Sequence, residues 1–405
     1  MMKVKIMILS TKQLSKLMNR ICLNGLLLIS ALLTFSCSSE PDNATEELQE
    51  YSSNLEASFT IPSNGMVTVH AHHEKESWII AVNQTTSELF IFDYPNDRLV
   101  HKHSLNDVPD WDPGRLYSLG FYGNGFYLLG SNGLFVYDDA YQPLKAWKKR
   151  MSRYSEFGIM PSFLAASAGQ EYLIAVYRNY YLPEGRESFS FYENASLFRY
   201  ISVIELDFES DSLKMNMIGG HPADSDVPNR IPPQGLRFTV FNGIINIVFR
   251  TEPLIWQIRD FKGNPDLYTS IPMQLKDGKN NYLVADGEAA NNLRMLAENP
   301  SYDNFKIDLA NGDHYFEYRL AYDEIHWPSI YKESITWLNE KGGEFMRPRT
   351  VKYDANFNKI YEIDKKQKGG PGFIQLVHDG KFFVGSPNEP EFGQEFNIYK
   401  LDVKP

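Results

Sequence analysis

The feature that most constrains this chain is a repeat of short, alternating apolar runs, grouped in fours and split by Gly, Asn and Asp turns. The clearest group spans 116–147: LYSLGFY, FYLLGS, GLFVYD and PLKAW, with a turn at Gly123-Asn124-Gly125. Alternation of this kind sends successive side chains to opposite faces and predicts strands. The same order recurs at 66–105 (VTVHA, WIIAVN, ELFIFDY, LVHKHSL), 162–218, 236–273, 315–364 and 373–403. Asn-Gly pairs at 124–125, 132–133 and 242–243 mark tight hairpins, because such turns need residues that tolerate positive φ. Aromatic content of 14%, with 24 Tyr and 26 Phe, agrees with strands. The one convincing helix signal, 289–298, is short and stops before Pro300.

A four-strand meander cannot bury both of its faces alone, whereas several packed around an axis can. The repeats therefore predict an all-β fold, a single β-propeller of six blades. A two-sheet sandwich is the competing all-β solution, and 274–313 is long enough to hold a seventh blade. The last group owns only three strands, FIQLVH, KFFVGS and FNIYKLDV. The run LEASFTI at 55–61 precedes the first complete group and is expected to supply the fourth. Joining the N-terminal strand to the C-terminal blade would close the ring and remove an open edge.

The N-terminus has a different character. Residues 21–35 are largely apolar and follow Lys3, Lys5, Lys12, Lys16 and Arg20. A basic stretch before a short apolar one predicts a removable signal, since a spanning helix needs about 20 apolar residues. The run LTFSC at 33–37 resembles a bacterial lipobox, in which the thiol of Cys37 carries the lipid; an ordinary signal peptide is the alternative. Met18 would open a compact signal by itself, which makes it a second candidate start. The expected organisation is a lipoprotein signal peptide at 1–36, an acidic tether at 37–54 and the propeller domain at 55–405.

Processing would leave Cys37, acylated, as the only cysteine, with no thiol for a disulfide, a zinc site or a nucleophile. Five cations and no acid fall in 1–36, which takes the net charge from −11 to −16 in the mature chain. A body this acidic repels nucleic acid and anionic headgroups, so attachment to the membrane would come from the lipid. Ser38, with no aspartate beside Cys37, resembles lipoproteins sorted to the outer membrane. Glu40 and Asp42 resemble a surface-export signal of Bacteroidota lipoproteins, with a periplasmic-facing orientation as the alternative. Taken together, the chain resembles the six-bladed, TolB-like β-propeller lipoproteins of the Bacteroidota, a domain-of-unknown-function family. The resemblance spans the mature chain and implies a fold and an address, but no catalytic motif.

In propellers, ligands generally sit over the axis, on the face built from inter-blade loops and the loops between second and third strands. Here the long segments 106–115, 178–196, 218–235 and 274–313 fall there, and long loops tend to be functional or disordered. Aligning the second strands brings Asn83, Ser131, Arg178, Arg250, Asn339 and Ser386 to one mouth, each polar after an apolar run. Arg178 and Arg250 would offer guanidinium forks to a carboxylate, sulfate or phosphate. Tyr180, Tyr181, Arg186 and Glu252 would complete a ligand-binding pocket, unless these polar side chains merely end strands and pair on the surface.

His70, His72 and His73, with His101 and His103, have spacing that metal sites use. The first cluster ends an innermost strand and the second lies on an outermost one, so no metal site is expected. No cofactor is expected either, because no phosphate-cradling glycine loop and no G-x-S-x-G elbow occurs. Asp211-Ser212-Leu213 matches a short bacterial O-glycosylation pattern. The expected function is a lipid-anchored envelope module, non-catalytic, that binds a glycan, a peptide or an envelope protein. The alternative is a hydrolase or lyase acting on an anionic glycan, with Arg178, Arg250 and Arg347 or Arg349 gripping a carboxylate. Arg230-Ile231-Pro232 is similar to a sialidase tripeptide, although the aspartate boxes of sialidase blades are missing.

Overall fold

A computed structural model describes residues 48–73, 76–83, 85–105, 111–150, 160–179, 199–220, 222, 236–249, 252–278, 300–322, 327, 347–365, 374–385 and 393–404. They form six four-stranded antiparallel sheets, the blades of a propeller. The first strand is β1 (Tyr51–Ile61). Blade one is β2 (Val67–His72), β3 (Trp78–Asn83), β4 (Glu88–Asp93) and β5 (Arg98–Ser104). Blade two is β6 (Leu116–Tyr122), β7 (Gly125–Gly130), β8 (Gly133–Tyr137) and β9 (Pro143–Lys148). Blade three is β10 (Ser162–Ser167), β11 (Gln170–Asn179), β12 (Arg199–Glu205) and β13 (Met215–Ile218). Blade four is β14 (Arg237–Phe241), β15 (Ile244–Val248), β16 (Leu254–Ile258) and β17 (Tyr268–Pro272). Blade five is β18 (Ser301–Ile307), β19 (His314–Arg319), β20 (Pro348–Tyr353) and β21 (Lys359–Asp364). Blade six is β22 (Ile374–His378), β23 (Lys381–Gly385), β24 (Gln394–Val403) and, as its outer strand, β1.

Each innermost strand touches the next around a closed circle: β2, β6, β10, β14, β18, β22 and back to β2. Packing follows the period of two. On β3, Ile79 and Ala81 face blade six, with Phe383, Phe396 and Ile398. The intervening Ile80 and Val82 face blade two, with Phe126, Leu128 and Phe135. Similar apolar clusters fill the gap between every other pair of neighbouring blades. This is why the middle strands read as nearly continuous apolar runs. Each large side chain buried there contributes about 1.5–3 kcal/mol. Outer strands such as β5 have one face on solvent and are correspondingly polar.

The ring closes as expected, by antiparallel pairing of β1 with β24 from Tyr51↔Val403 to Ile61↔Gln394. Phe59 locks the closure, stacking on Phe92 of blade one at 5.4 Å and on Phe396 at 5.3 Å. The strand begins at Tyr51, inside the stretch read as tether. The Asn242-Gly243 hairpin has φ of 50° and 74°, so a β-branched residue would be strained there. Blade five differs from the expected 315–364 group. Its innermost strand is SYDNFKI at 301–307 and its second is HYFEYR at 314–319, which absorbs the segment that left a seventh blade open. The expected helix at 289–298 and the run SITWLNE at 334–340 lie outside the described residues, as does the signal segment with Cys37. Among the described residues no helix is long and apolar enough to cross a membrane.

Candidate functional site

A four-strand meander returns the chain to the end at which the blade began, so all six innermost strands start at one mouth of the axis and finish at the other. Asn83, paired with Val67, lies at the first mouth, and Ser131 follows the strand end at the equivalent place in blade two. The structure gives both side chains local work. Asn83 is fully buried; its Nδ2 donates to Ser63 Oγ (2.5 Å) and to the Asn64 carbonyl (3.1 Å), and its Oδ1 accepts from the Thr85 and Thr86 amides. Ser131 Oγ accepts from the Arg115 amide at 3.1 Å. Arg178 lies on β11, and its side chain is outside the described residues. Tyr180, Tyr181, Arg186, Arg250, Asn339, Ser386 and the tripeptide at 230–232 are outside them too.

The register of blade five moves one member of the expected ring. Arg319 pairs with Ser301 as Asn83 pairs with Val67, so Arg319, not Asn339, ends the second strand. Glu252 is buried and accepts a 2.6 Å hydrogen bond from Trp256 Nε1. Arg349 lies on the third strand of blade five, away from the axis. It is ion-paired with Glu362 (3.4 Å) and Asp277 (3.1 Å), and its Nη1 also donates to the Lys276 carbonyl. This cluster clamps the link that follows blade four onto blade five.

The described cavities lie on the axis and toward the second mouth. Two adjoining lobes, of about 450 and about 440 Å³, share Ala71, His72, His73, Ser162, Phe163 and Leu309 as walls. Their shape depends on bulges in the innermost strands, which leave an extra residue facing inward. One bulge falls at His70, between Val69 and Ala71, and another at Gln375, between Ile374 and Leu376. The two bulges meet across the blade boundary: Val69 N donates to Gln375 Oε1 at 2.8 Å.

Into the first lobe project His70, Lys306 and Gln375, among apolar walls that include Phe163, Phe305 and Leu376. Lys306 Nζ has no hydrogen-bond or ion-pair partner among the described residues. Burial, reinforced by the Arg237 charge and opposed by Glu317, pulls its ammonium down to about 8. Glu317 is no counter-ion for it, because that carboxylate is already held by Lys365 and by Asn304 Nδ2 at 2.5 Å. Burial, then the Lys306 charge, pushes His70 to about 3, so its ring is neutral; it hydrogen-bonds Thr68 Oγ1 at 2.7 Å.

At the rim, His72 stacks on His378 with ring centroids 3.4 Å apart. Burial first, and then His378, lowers His72 to about 3, and burial also lowers His378. His72 Nδ1 donates to the His73 carbonyl at 2.5 Å, which leaves Nε2 as a buried acceptor with no donor. Ser162 is hydrogen-bonded to Ser118 and, at 2.6 Å, to the Tyr127 hydroxyl, a chain with no base in it to activate a nucleophile. The other histidine cluster packs elsewhere: His101 stacks on Tyr141 at 4.1 Å, and His103 meets Tyr137 edge-on. Among the described residues no group of three or more potential ligands could hold a metal.

The sequence matches no family model and no curated relative. Among solved structures, a member of the DUF4221 family from Bacteroides vulgatus superposes with a TM-score of 0.59 at 13% identity, covering 88% of this chain and all of that one. A Bacteroides fragilis protein named for its expected export gives 0.49 at 11% identity, over 88% of this chain and 96% of that one. The first likeness establishes a shared fold: the chain is a six-bladed β-propeller of the kind found in a Bacteroides domain-of-unknown-function protein.

Proposed function

We propose, on the premise of that shared ring, that this chain is an exported lipoprotein, anchored at Cys37 in the outer membrane, that holds a small ligand in its axial cavity without turning it over. The cavity carries the reading. Its volume of about 450 Å³ falls in the roughly 300–1,000 Å³ range of small-molecule sites, and its few polar groups converge from different blades onto apolar walls. Support for the anchor is the basic stretch, apolar run and cysteine of the N-terminus. Aromatics such as Trp111, Tyr180 and Tyr192 would serve a protein partner as readily.

The anchor is tested by feeding cells an alkynyl fatty acid; label on the wild type that disappears in Cys37→Ser supports it, and equal label in both overturns it. The cavity is tested by a thermal-shift screen of the full chain in detergent against acidic and neutral sugars and small organic acids. Leu309, exposed at the rim shared by both lobes, gives the control. A ligand-induced rise in Tm that Leu309→Trp weakens at least tenfold in affinity supports the reading. Binding indifferent to Leu309→Trp places the ligand elsewhere, and product released from a bound acidic glycan favours the hydrolase or lyase alternative.

A further inference from the structure

We infer that the axial cavity is a receptor for a small organic monocarboxylate, with Lys306 as the anchor of its carboxylate. This deepens the proposed function and rests on the axial cavity being the binding site.

An ammonium wrapped by protein with no carboxylate to neutralise it is an unfavourable arrangement, which an incoming anion relieves by supplying the missing counter-charge. The sign of the surroundings agrees. Arg237 adds a second positive charge to the field at Lys306, Glu317 is committed to Lys365 and Asn304, and burial keeps the histidines His70 and His72 uncharged. The surroundings of Lys306 are thus locally positive inside a chain of net charge −11, while Asp308 and Asp379 act on His378 at the rim.

The details narrow the anion. One ammonium is a point charge suited to a single carboxylate, whereas a phosphate dianion is usually met by several donors or an arginine fork. Phe163, Phe305 and Leu376 leave apolar area around the charge, which an inorganic ion would not cover. The acidic exterior adds selectivity, because long-range repulsion grows with ligand charge and disfavours polyanions.

The test measures binding of 3-phenylpropionate and hexanoate, of the matching alcohols 3-phenyl-1-propanol and 1-hexanol, and of inorganic phosphate, by titration calorimetry on the full chain. Expected are carboxylate binding at pH 7 at least tenfold tighter than for the alcohols, and little phosphate binding. Lys306→Met should abolish the carboxylate preference and leave the alcohols bound, whereas Lys306→Arg should keep it. Above pH 8 the carboxylate affinity should fall about tenfold per unit, until the lysine of the complex also loses its proton. The groups facing the cavity are Arg237, the Glu317–Lys365 pair, His70, His72, His378 and, beside His378, Asp308 and Asp379. Burial keeps His70 and His72 neutral throughout this range, and the same titration on Lys306→Met, which should be flat, isolates the Lys306 contribution. Equal carboxylate binding by Lys306→Met, or phosphate binding as tight as carboxylate, overturns the inference. Alcohols that bind where acids do not overturn it while sparing the cavity. Silence from every probe, with Leu309→Trp altering nothing, overturns the cavity reading itself.

Discussion

Arg349 and Lys306 stand on the same blade, one buried and one half-buried against the axial cavity, and their surroundings are opposite. Burial pulls the Arg349 guanidinium down, but Tyr318, Glu362 and Asp277 outweigh it and hold the group above its ordinary value. Lys306 has burial and the Arg237 charge acting in one direction, with the Glu317 carboxylate, already paired with Lys365, against them. Arg349 sits where two blades and a link must be joined, and its charge is consumed in joining them. Lys306 sits where six strands face an axis that none of them fills. Burial alone therefore says little about a charge in this fold; what separates a structural cation from an available one is whether its neighbours come from the next blade or from the empty centre.

The largest effect expected from that contrast is at Arg349. Arg349→Met removes one of the cations that neutralise the buried Glu362, with Lys359 at 3.1 Å remaining, and should destabilise the fold by about 3 kcal/mol in urea denaturation. The double variant Arg349→Met/Glu362→Met should recover part of this loss, because it removes the buried carboxylate that the guanidinium helped to neutralise; a double variant as unstable as the single one would break the account of the clamp. Lys306→Met should act in the opposite direction and raise stability, by on the order of 1–2 kcal/mol, since it deletes a charge that has no partner.

The stability gap between Lys306→Met and the wild type should also depend on pH. The folded wild type releases the Lys306 proton near pH 8, and the unfolded chain near 10.5. Between those values the unfolded state binds more protons, so wild-type stability rises with pH relative to the variant. The gap should be full below pH 8 and close by about pH 10.5, and a gap that stays constant would mean that Lys306 is not desolvated. At neutral pH the smallest effect is at His70, whose folded value of about 3 lies below the ordinary 6.5. Its unfolded form takes up a proton as pH falls through 6.5, costing up to about 1.4 kcal/mol per unit. His70→Asn should therefore lower the midpoint of acid unfolding followed by circular dichroism.

Most of the ring was legible in the sequence, because middle and outer strands alternate or run apolar for reasons that local pattern reports. The failure is instructive. SYDNFKI, the innermost strand of blade five, was not recognised: Ser301, Asn304 and Lys306 interrupt its apolar residues, and a bulge between Tyr302 and Asn304 breaks the period of two. A strand facing a solvent-accessible axis need not look amphipathic, and the residue that best marks the cavity lies on that strand. The one available signal was the alternation Phe305-Lys306-Ile307 just before the Asn311-Gly312 turn. The expected polar ring lies at the other mouth, and Arg250, Asn339, Ser386 and the Arg178 side chain are outside the described residues. Asn83 and Ser131 end strands, and their side chains bind the adjoining turns.

The pairing of β1 with β24 has a consequence in time. Synthesis proceeds from the N-terminus, so Tyr51–Ile61 is among the first segments of the ring to be made, yet its partner Gln394–Val403 is the last. Contacts so far apart along the chain are slow to form. Until they do, blades one to five can assemble but the circle stays open, with Phe383, Phe396 and Ile398 lacking their cover. The final strand to emerge is thus the one that commits the whole ring, and any truncation near the C-terminus is felt first by the oldest residues of the fold.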